Sequence, residues 1–426
     1  MSEPALLSLG QLSVWQDIRY LPPSRRHEPN NAAVWTIPQG VHAEQVGIAL
    51  RTVVERHPSL RTRYDLTERA APRQLTPDAE FHDSLTTLES ADRPQEIAAD
   101  LAARPFDLGR EHGWRARLLT CHDAPTHVVF IKHHIVADAW AQELLHREFL
   151  TALTRPGGLK PAPPGPADLA ADQYSQTGRR RQAAALAHWQ HTLESAPAHI
   201  SLPRRAPGAG GATESSADAL QCTLHSAPAR SAAHAIAERA QVSVAAVVLS
   251  AYVRSVARLC GTDRLLTQLM CANRFTERWK NVVTSMNQWV PAVVDHAMDD
   301  DLIAVARTAH WNSLTAFRHG MHDVTAVEAL RDRMRHAPEP VCAFNHVAVP
   351  DGPPGPGEEA DTMSATGPRI DWEEPFTTIG PRCYARALET SSSLSVRLTA
   401  KDVAREQAEA LLRELHDALL TTAERI

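Results

Sequence analysis

The sequence predicts a mixed α/β protein, of the α+β sandwich kind, built as two lobes. Helix-spaced apolar residues alternate with short β-branched runs along all 426 residues, and a chain of that length is roughly two to three domains of ~150 residues each. Pro- and Gly-rich stretches at 155–166 (RPGGLKPAPPGP), 203–213 (PRRAPGAGGAT) and 350–368 (PDGPPGPGEEADTMSATGP) read as loops or linkers. The first of them sets the expected division into an N-terminal lobe, 1–168, and a C-terminal lobe, 169–426.

Each element follows from its own pattern. Val46, Leu50, Val53 and Val54 recur at helical spacing until Pro58, after which 60–66 (LRTRYDL) alternates like a strand. A helix is expected over 94–103. The run 126–132 (THVVFIK) reads as a strand, and Leu144, Leu145, Phe149 and Leu153 form one face of a helix over 139–153. The second portion repeats this grammar. Helices are expected at 229–240 and 244–260, the latter closed by Gly261, followed by strands at 264–272, 290–294 and 341–349. Alternation over 394–398 then leads into a long amphipathic helix, 404–423. The similar make-up of the two portions suggests pseudo-duplication, without a direct sequence repeat.

Composition narrows the function. Hydrophobic residues make up 43% and charged residues 22%, with a net charge of −6, which excludes a disordered chain and leaves no basic footprint for nucleic acid. The most apolar run, 242–253, is shorter than the ~18 residues a bilayer requires and reads as a buried helix. The first residues carry no basic, apolar and small-residue sequence of an export signal, so a cytoplasmic location is expected. Six cysteines stand singly with no CxxC pair, which predicts reduced thiols and no zinc site. Lysine occurs only at Lys132, Lys160, Lys280 and Lys401.

The chemistry-bearing signal is the run His133-His134-Ile135-Val136-Ala137-Asp138, at the junction of a strand and a helix. Adjacent residues at a strand end point to opposite faces, so one histidine is expected to face a cavity and the other the interior. A neutral imidazole takes a proton from an attacking amine or hydroxyl, which is worth about 10²–10⁴-fold in rate. Asp138 needs a cation of its own, for which an arginine on a neighbouring strand is the natural choice, and it also suits the N-cap of the following helix. On spacing alone, an ordinary packed or surface histidine pair is the more frequent explanation of such a run, by about three to one.

The stretch HHIVADAWAQELLHREF resembles the HHxxxDG motif of the condensation domains of non-ribosomal peptide synthetases. Four further segments lie in that family's order. LSLGQLSVW (7–15) is similar to the opening LSxxQ segment, and RHPSLRTRY (56–64) to RHxxLRTxF. His188-Trp189 and Leu202-Pro203 resemble a later aromatic pair and its Leu-Pro stop. ANRFTERWKNVVTSMNQWVP (272–291) is similar to the GR…VGxFxNxLP segment. The HHxxxD motif by itself is shared with chloramphenicol acetyltransferase-like and other CoA-dependent acyltransferases; five ordered segments are far more specific.

The resemblance implies two chloramphenicol-acetyltransferase-like lobes in a V-shaped pseudo-dimer with a central tunnel, entered by phosphopantetheine arms. It implies transfer of an acyl or aminoacyl group from an acyl- or peptidyl-carrier protein to a small-molecule amine or a second carrier-bound acceptor, in secondary-metabolite or antibiotic biosynthesis. The product is an amide, or an ester where the acceptor is an alcohol. No cofactor is bound by the chain itself, and no metal, nucleic acid or membrane is implied. His134 becomes the group near the reacting atoms, as base or positioning group, and His133 is structural. Asp138 pairs with Arg61, aiming His134.

Three departures stand out. Ala139 replaces the motif's glycine, which strains the loop if that position needs φ > 0 and is harmless if it is the first helical residue. Asn273-Arg274 replaces Gly-Arg, and Gln288-Trp289 stands where Asn-Thr is usual. Trp140, Gln288 and Trp289 are candidate substrate-binding residues, although Gln288 and Trp289 also suit plain strand packing. The chain has no carrier-attachment LGGxS, no P-loop and no GxSxG elbow, so the acyl group is expected to arrive already activated. Because Met1 leads directly into the LSxxQ-like segment and Ile426 ends the last helix, the chain is expected to be one complete unit. Two other readings remain open: a CoA-dependent acyltransferase of the same superfamily, and a non-catalytic module that binds a carrier protein and recruits other enzymes.

Overall fold

The structure, a computed structural model, describes residues 4–67, 72–78, 85–89, 93–197, 200, 202, 219–299, 301–349, 368–375, 380–401 and 403–426. The expected linker 203–213 and all but the last residue of 350–368 lie outside them. The chain forms two compact units: Met1–Ala184 with Ala272–Gln288 and Met321–Ala326, and Ala185–Cys271 with Trp289–Gly320 and Val327–Ile426. The boundary expected at 168/169 therefore falls inside the first unit. Helix Pro166–Gln173 stays with that unit because Leu169 is buried beside Trp279, Val282 and Met286, and because the Gln173 Oε1 accepts from the Leu9 amide at 2.8 Å.

The first unit runs β1 (Ala5–Leu6), α1 (Leu9–Ile18), β2 (Asn30–Thr36), α2 (Ala43–Arg56), β3 (Tyr64–Asp65), β4 (Arg73–Gln74), β5 (Leu85–Glu89), α3 (Pro94–Ala102), β6 (Trp114–Cys121), β7 (Ala124–His133), α4 (Ala139–Thr154) and α5 (Pro166–Gln173). Its main sheet has the order β2-β7-β6-β5, antiparallel except for β5 with β6, and β1-β4-β3 form a small second sheet. The unbroken apolar run of β7 is explained by burial on both faces. Val128 and Phe130 pack with Leu50, Val53, Leu145 and Phe149 of α2 and α4, while Val129 and Ile131 pack with Ala98, Leu101 and Ala102 of α3.

The segment LSLGQ is a helix start. Ser8 accepts from the Gln11 amide and Gln11 Oε1 accepts from the Ser8 amide at 2.8 Å, a capping box that nucleates α1. The expected strand at 60–66 is instead a single 3₁₀ turn, Pro58–Arg61, leading into the short β3. The Trp114 indole N–H donates to the Leu60 carbonyl at 2.6 Å, which takes that carbonyl out of any ladder.

After α6 (Gln176–Ser195), the second unit continues as β8 (Ala219–Ser226), α7 (Ala227–Ala240), α8 (Val244–Cys260), β9 (Arg264–Cys271), β10 (Gln288–Asp295), α9 (Leu302–Arg318), α10 (Val324–Arg333), β11 (Cys342–Ala348), β12 (Arg369–Glu373), β13 (Cys383–Glu389), β14 (Leu394–Lys401) and α11 (Arg405–Ala423). The strand order is β10-β9-β11-β13-β14-β8-β12, and β11 is parallel to both β9 and β13. Ser243 caps α8 and Gly261 ends it in the left-handed conformation, at φ 64°. Val247, Val248, Ala251, Val253 and Val256 of α8 are fully buried against α7, α9, α11 and the sheet. Among the described residues no single helix is long and apolar enough to cross a membrane. All six cysteines are free thiols.

Candidate active site

The histidine turn and the residues bonded to it lie within the first unit. β7 ends at His133, and residues 134–138 turn the chain into α4. The turn is held along its whole length. The His133 amide donates to the Gly113 carbonyl and the His134 amide to Pro29, at 2.8 and 2.9 Å. Ser59 Oγ donates to the Val136 carbonyl at 2.7 Å, and the Lys132 ammonium donates to the Ala137 carbonyl. Ile135, Val136 and Ala137 are fully buried. Gly113 lies so close beneath them that a Cβ there would sit 2.6 Å from Val136 Cγ2.

Asp138 is the hub. It is the N-cap of α4, its Oδ1 accepting from the Ala141 amide at 2.8 Å, as its position before the helix suggested. Its cation is Arg274 and not Arg61: Arg274 Nη2 lies 2.9 and 3.0 Å from the two carboxylate oxygens, with both side chains almost completely buried. Arg61 is held elsewhere. Its guanidinium donates to the carbonyls of Val54 and Glu55, in the last turn of α2, and to that of Asp78. The expected pairing fails because Arg61 closes the C-terminal end of a helix, where carbonyls without intrahelical partners attract a cation.

Arg274 also organises the segment that follows β9. Its Nη1 donates to the carbonyls of Lys280 and Val282, and its Nη2 donates to that of Thr284 at 3.0 Å. The segment is thereby wrapped around one guanidinium, and the Met286 amide donates to Asp138 Oδ2 at 3.0 Å. Asn273 sits at φ 57°, a left-handed conformation natural to glycine and tolerated by asparagine, and its side-chain amide donates to the Met286 carbonyl at 2.8 Å. Burial alone would raise the Asp138 carboxyl, but the Arg274 guanidinium and the Ala141 and Met286 amides outweigh it and hold it below the usual carboxylate range.

The two histidines are differentiated by their partners. His133 is 3% exposed, and its Nδ1 accepts from the Ile135 amide at 3.1 Å, so in the neutral ring the proton is on Nε2. It lines a cleft of about 960 Å³ together with Trp15, Tyr64, Phe106 and Leu108. His134 is only partly buried, and its Nδ1 lies 3.2 Å from Ser285 Oγ. Ser285 Oγ also lies 3.1 Å from Asn287 Oδ1, an atom that can only accept; this assigns the hydroxyl proton to Asn287 and makes the hydroxyl the acceptor of the His134 Nδ1–H. The lone pair of His134 is then on Nε2. Burial, and then the charge of Lys132, lower the His134 ring to about 4 against a smaller opposing pull from Asp138; burial, with the neighbouring charges of His134 and Lys132, lowers His133 to about 3. Both rings are uncharged at neutral pH.

The remaining candidates are placed as follows. Ala139 is the first residue of α4 and has no positive φ, so alanine costs nothing there. Trp140 is 52% exposed. Gln288 is buried, and its amide group is occupied by the His322 carbonyl and amide, which is the packing reading of that position. Trp289 packs edge-to-face on Tyr384 in the second unit. Three residues missed from sequence are Lys132, Ser285 and the Met286 amide. Arg274 stands in the sequence as part of a Gly-Arg-like pair, but nothing in its spacing links it to Asp138.

Comparison with known proteins bears on this arrangement. The condensation-domain family matches residues 22–344, about three quarters of the chain. The chain belongs to the condensation-domain family. It is similar to malpibaldin synthetase of Mortierella alpina, 27% identical over 306 residues, and to the phosphinothricin tripeptide synthetase PhsB of Streptomyces viridochromogenes, 31% identical over 267 residues. The matches cover 66% and 58% of this chain but only 5% and 22% of those proteins. A solved structure concerned with condensation domain-mediated chain release from the enacyloxin polyketide synthase shares the fold, with a TM-score of 0.77 and 21% identity, covering 99% of this chain and 82% of that one. The mixed α/β fold and the family expected from the ordered motifs are thus both found.

Proposed function

We propose that the chain is an acyltransferase that couples an acyl or aminoacyl group, delivered as a thioester on the phosphopantetheine arm of a carrier protein, to an amine, in non-ribosomal peptide-type assembly of a secondary metabolite. The observation that carries the reading is the contact between His134 Nδ1 and Ser285 Oγ, which leaves Nε2 as the basic atom of an uncharged ring. His133, whose Nδ1 lone pair is occupied by the Ile135 amide, is the structural partner. As the amine attacks the thioester carbonyl, a C–N bond forms and His134 Nε2 receives the amine proton. The C–S bond then breaks, and the imidazolium returns the proton to the departing thiolate. The Asp138–Arg274 pair takes no proton in this scheme; it keeps His134 and Ser285 in register. An alcohol acceptor would give an ester by the same steps.

The test is incubation of the purified chain with acyl- and aminoacyl-loaded carrier proteins, the matching CoA thioesters and a set of amines, with product read by mass spectrometry. Amide from carrier-bound donors is the expected result. Product from CoA thioesters alone would assign the chain to the CoA-dependent acyltransferases, and carrier binding without product from either donor would assign it to the recruitment modules.

A further inference from the structure

Lys132 is a buried cation that the scheme above does not use. It is 1% exposed, sits on β7 immediately before the histidine pair, and its ammonium makes one hydrogen bond among the described residues, to the Ala137 carbonyl. An ammonium has three donors, and burying it with one carbonyl is costly unless its charge is compensated nearby. The charged and titratable groups gathered here are Lys132 and His133 on β7, His134 in the turn, Asp138 at the start of α4, and Arg274 from the segment after β9. The carboxylate of Asp138 attracts the Lys132 ammonium but is shared with Arg274, so the two cations leave the cluster with one positive charge in excess. A hydrophobic residue would fill the same space without that cost.

We propose that Lys132 is a positioning residue for His134: its ammonium fixes the Ala137 carbonyl and so the turn that aims the ring, and its charge disfavours a second positive charge on the imidazole. Two consequences follow for the chemistry. The ring is available as a base well below neutral pH, and an imidazolium formed during transfer is driven to release its proton to the leaving thiolate. Burial draws the ammonium itself down to about 8, so the charge is present at and below neutral pH.

The inference rests on the reading of His134 as the base, and the experiment separates the two. Imidazole titration of the whole chain by NMR needs no substrate, and the His134 signal is the one missing from His134→Gln. In the native chain the midpoint is expected near 4. Lys132→Gln keeps a donor for the Ala137 carbonyl but removes the charge, and is expected to raise the midpoint by roughly one pH unit or more. Lys132→Arg keeps the charge and should leave it near the native value, and the acid limb of the coupling rate should move with each midpoint. A folded Lys132→Gln with an unchanged midpoint would overturn the inference. If Lys132→Gln does not fold, a folded Lys132→Arg with a native midpoint supports a need for charge, whereas failure of both variants to fold would reduce Lys132 to a steric strut and overturn it. Absence of any coupling reaction, with the titration shift present, would count against His134 as the base and not against Lys132.

Discussion

Asp138 joins two tasks in one carboxylate, capping α4 through the Ala141 amide and binding Arg274, and the two arginines near the motif segments therefore separate cleanly by mutation. Arg274→Ala leaves a buried carboxylate without its cation, a class of change that costs about 3–5 kcal/mol, and also unwraps the carbonyls of Lys280, Val282 and Thr284. Its unfolding midpoint should drop sharply, with coupling activity lost. Arg61→Ala removes hydrogen bonds to three carbonyls outside the site and should cost about 1 kcal/mol with near-native turnover. Calorimetry and initial rates on the two variants decide the matter, and a more damaging Arg61 variant would contradict the assignment. Acid stability follows from the same residues. His133, His134 and Asp138 all have folded values below their ordinary ones, so the unfolded chain binds protons at these sites before the folded chain does. Their stabilisation is complete above about pH 6.5 and is lost as pH falls through about 4 and 3 for the histidines and through the lowered Asp138 value. Thermal midpoints measured from pH 7 to pH 4 should decline steadily, and a flat profile would mean that the rings are solvated.

At the scale of elements, the site is a turn after β7 met by the segment between β9 and β10, and α1 is the surface against which that segment lies. Gly10 marks the contact: a Cβ there would stand 2.3 Å from the Ser285 carbonyl oxygen and 2.7 Å from Met286 Cα. Gly10→Ala must therefore push backbone aside. It should lose about 1–3 kcal/mol and displace Ser285 from His134, lowering coupling along with stability, whereas Gly47→Ala, with nothing near its Cβ, should do neither. Equal behaviour of the two variants would remove α1 from the account. Local pattern made α2, α4, α8 and α11 legible through their apolar stripes, with Pro58 and Gly261 marking the ends of α2 and α8. The HH turn was legible as a motif. The Arg274 and Ser285 partnerships were not, since 136 and 151 residues separate them from Asp138 and His134, and such pairing is set by tertiary packing that no local periodicity encodes. The 3₁₀ turn at Pro58–Arg61 was misread as a strand because the indole bond that removes the Leu60 carbonyl from a ladder comes from Trp114, far along the chain.

For the whole molecule, the family and the mixed fold were readable from five short segments in order, and the structure ties the first two of them to each other. LSLGQ is a helix cap whose Gln11 side chain also donates to the Tyr64 hydroxyl at 3.3 Å, so the first and second segments are joined directly. The boundary between the units was less legible, because the first unit takes back residues 272–288 and 321–326 from later in the chain, and a linker-based division assumes contiguous lobes. That return is what brings Arg274 and Ser285 to the histidine turn. The role of His134 as the base for transfer from a carrier-bound thioester is decided by the single-turnover rate of amide formation from a loaded carrier protein, with native chain beside His134→Ala. The expected result is a loss of about 10²-fold or more in a variant that folds normally and still binds the carrier. A rate within a few-fold of native would contradict it.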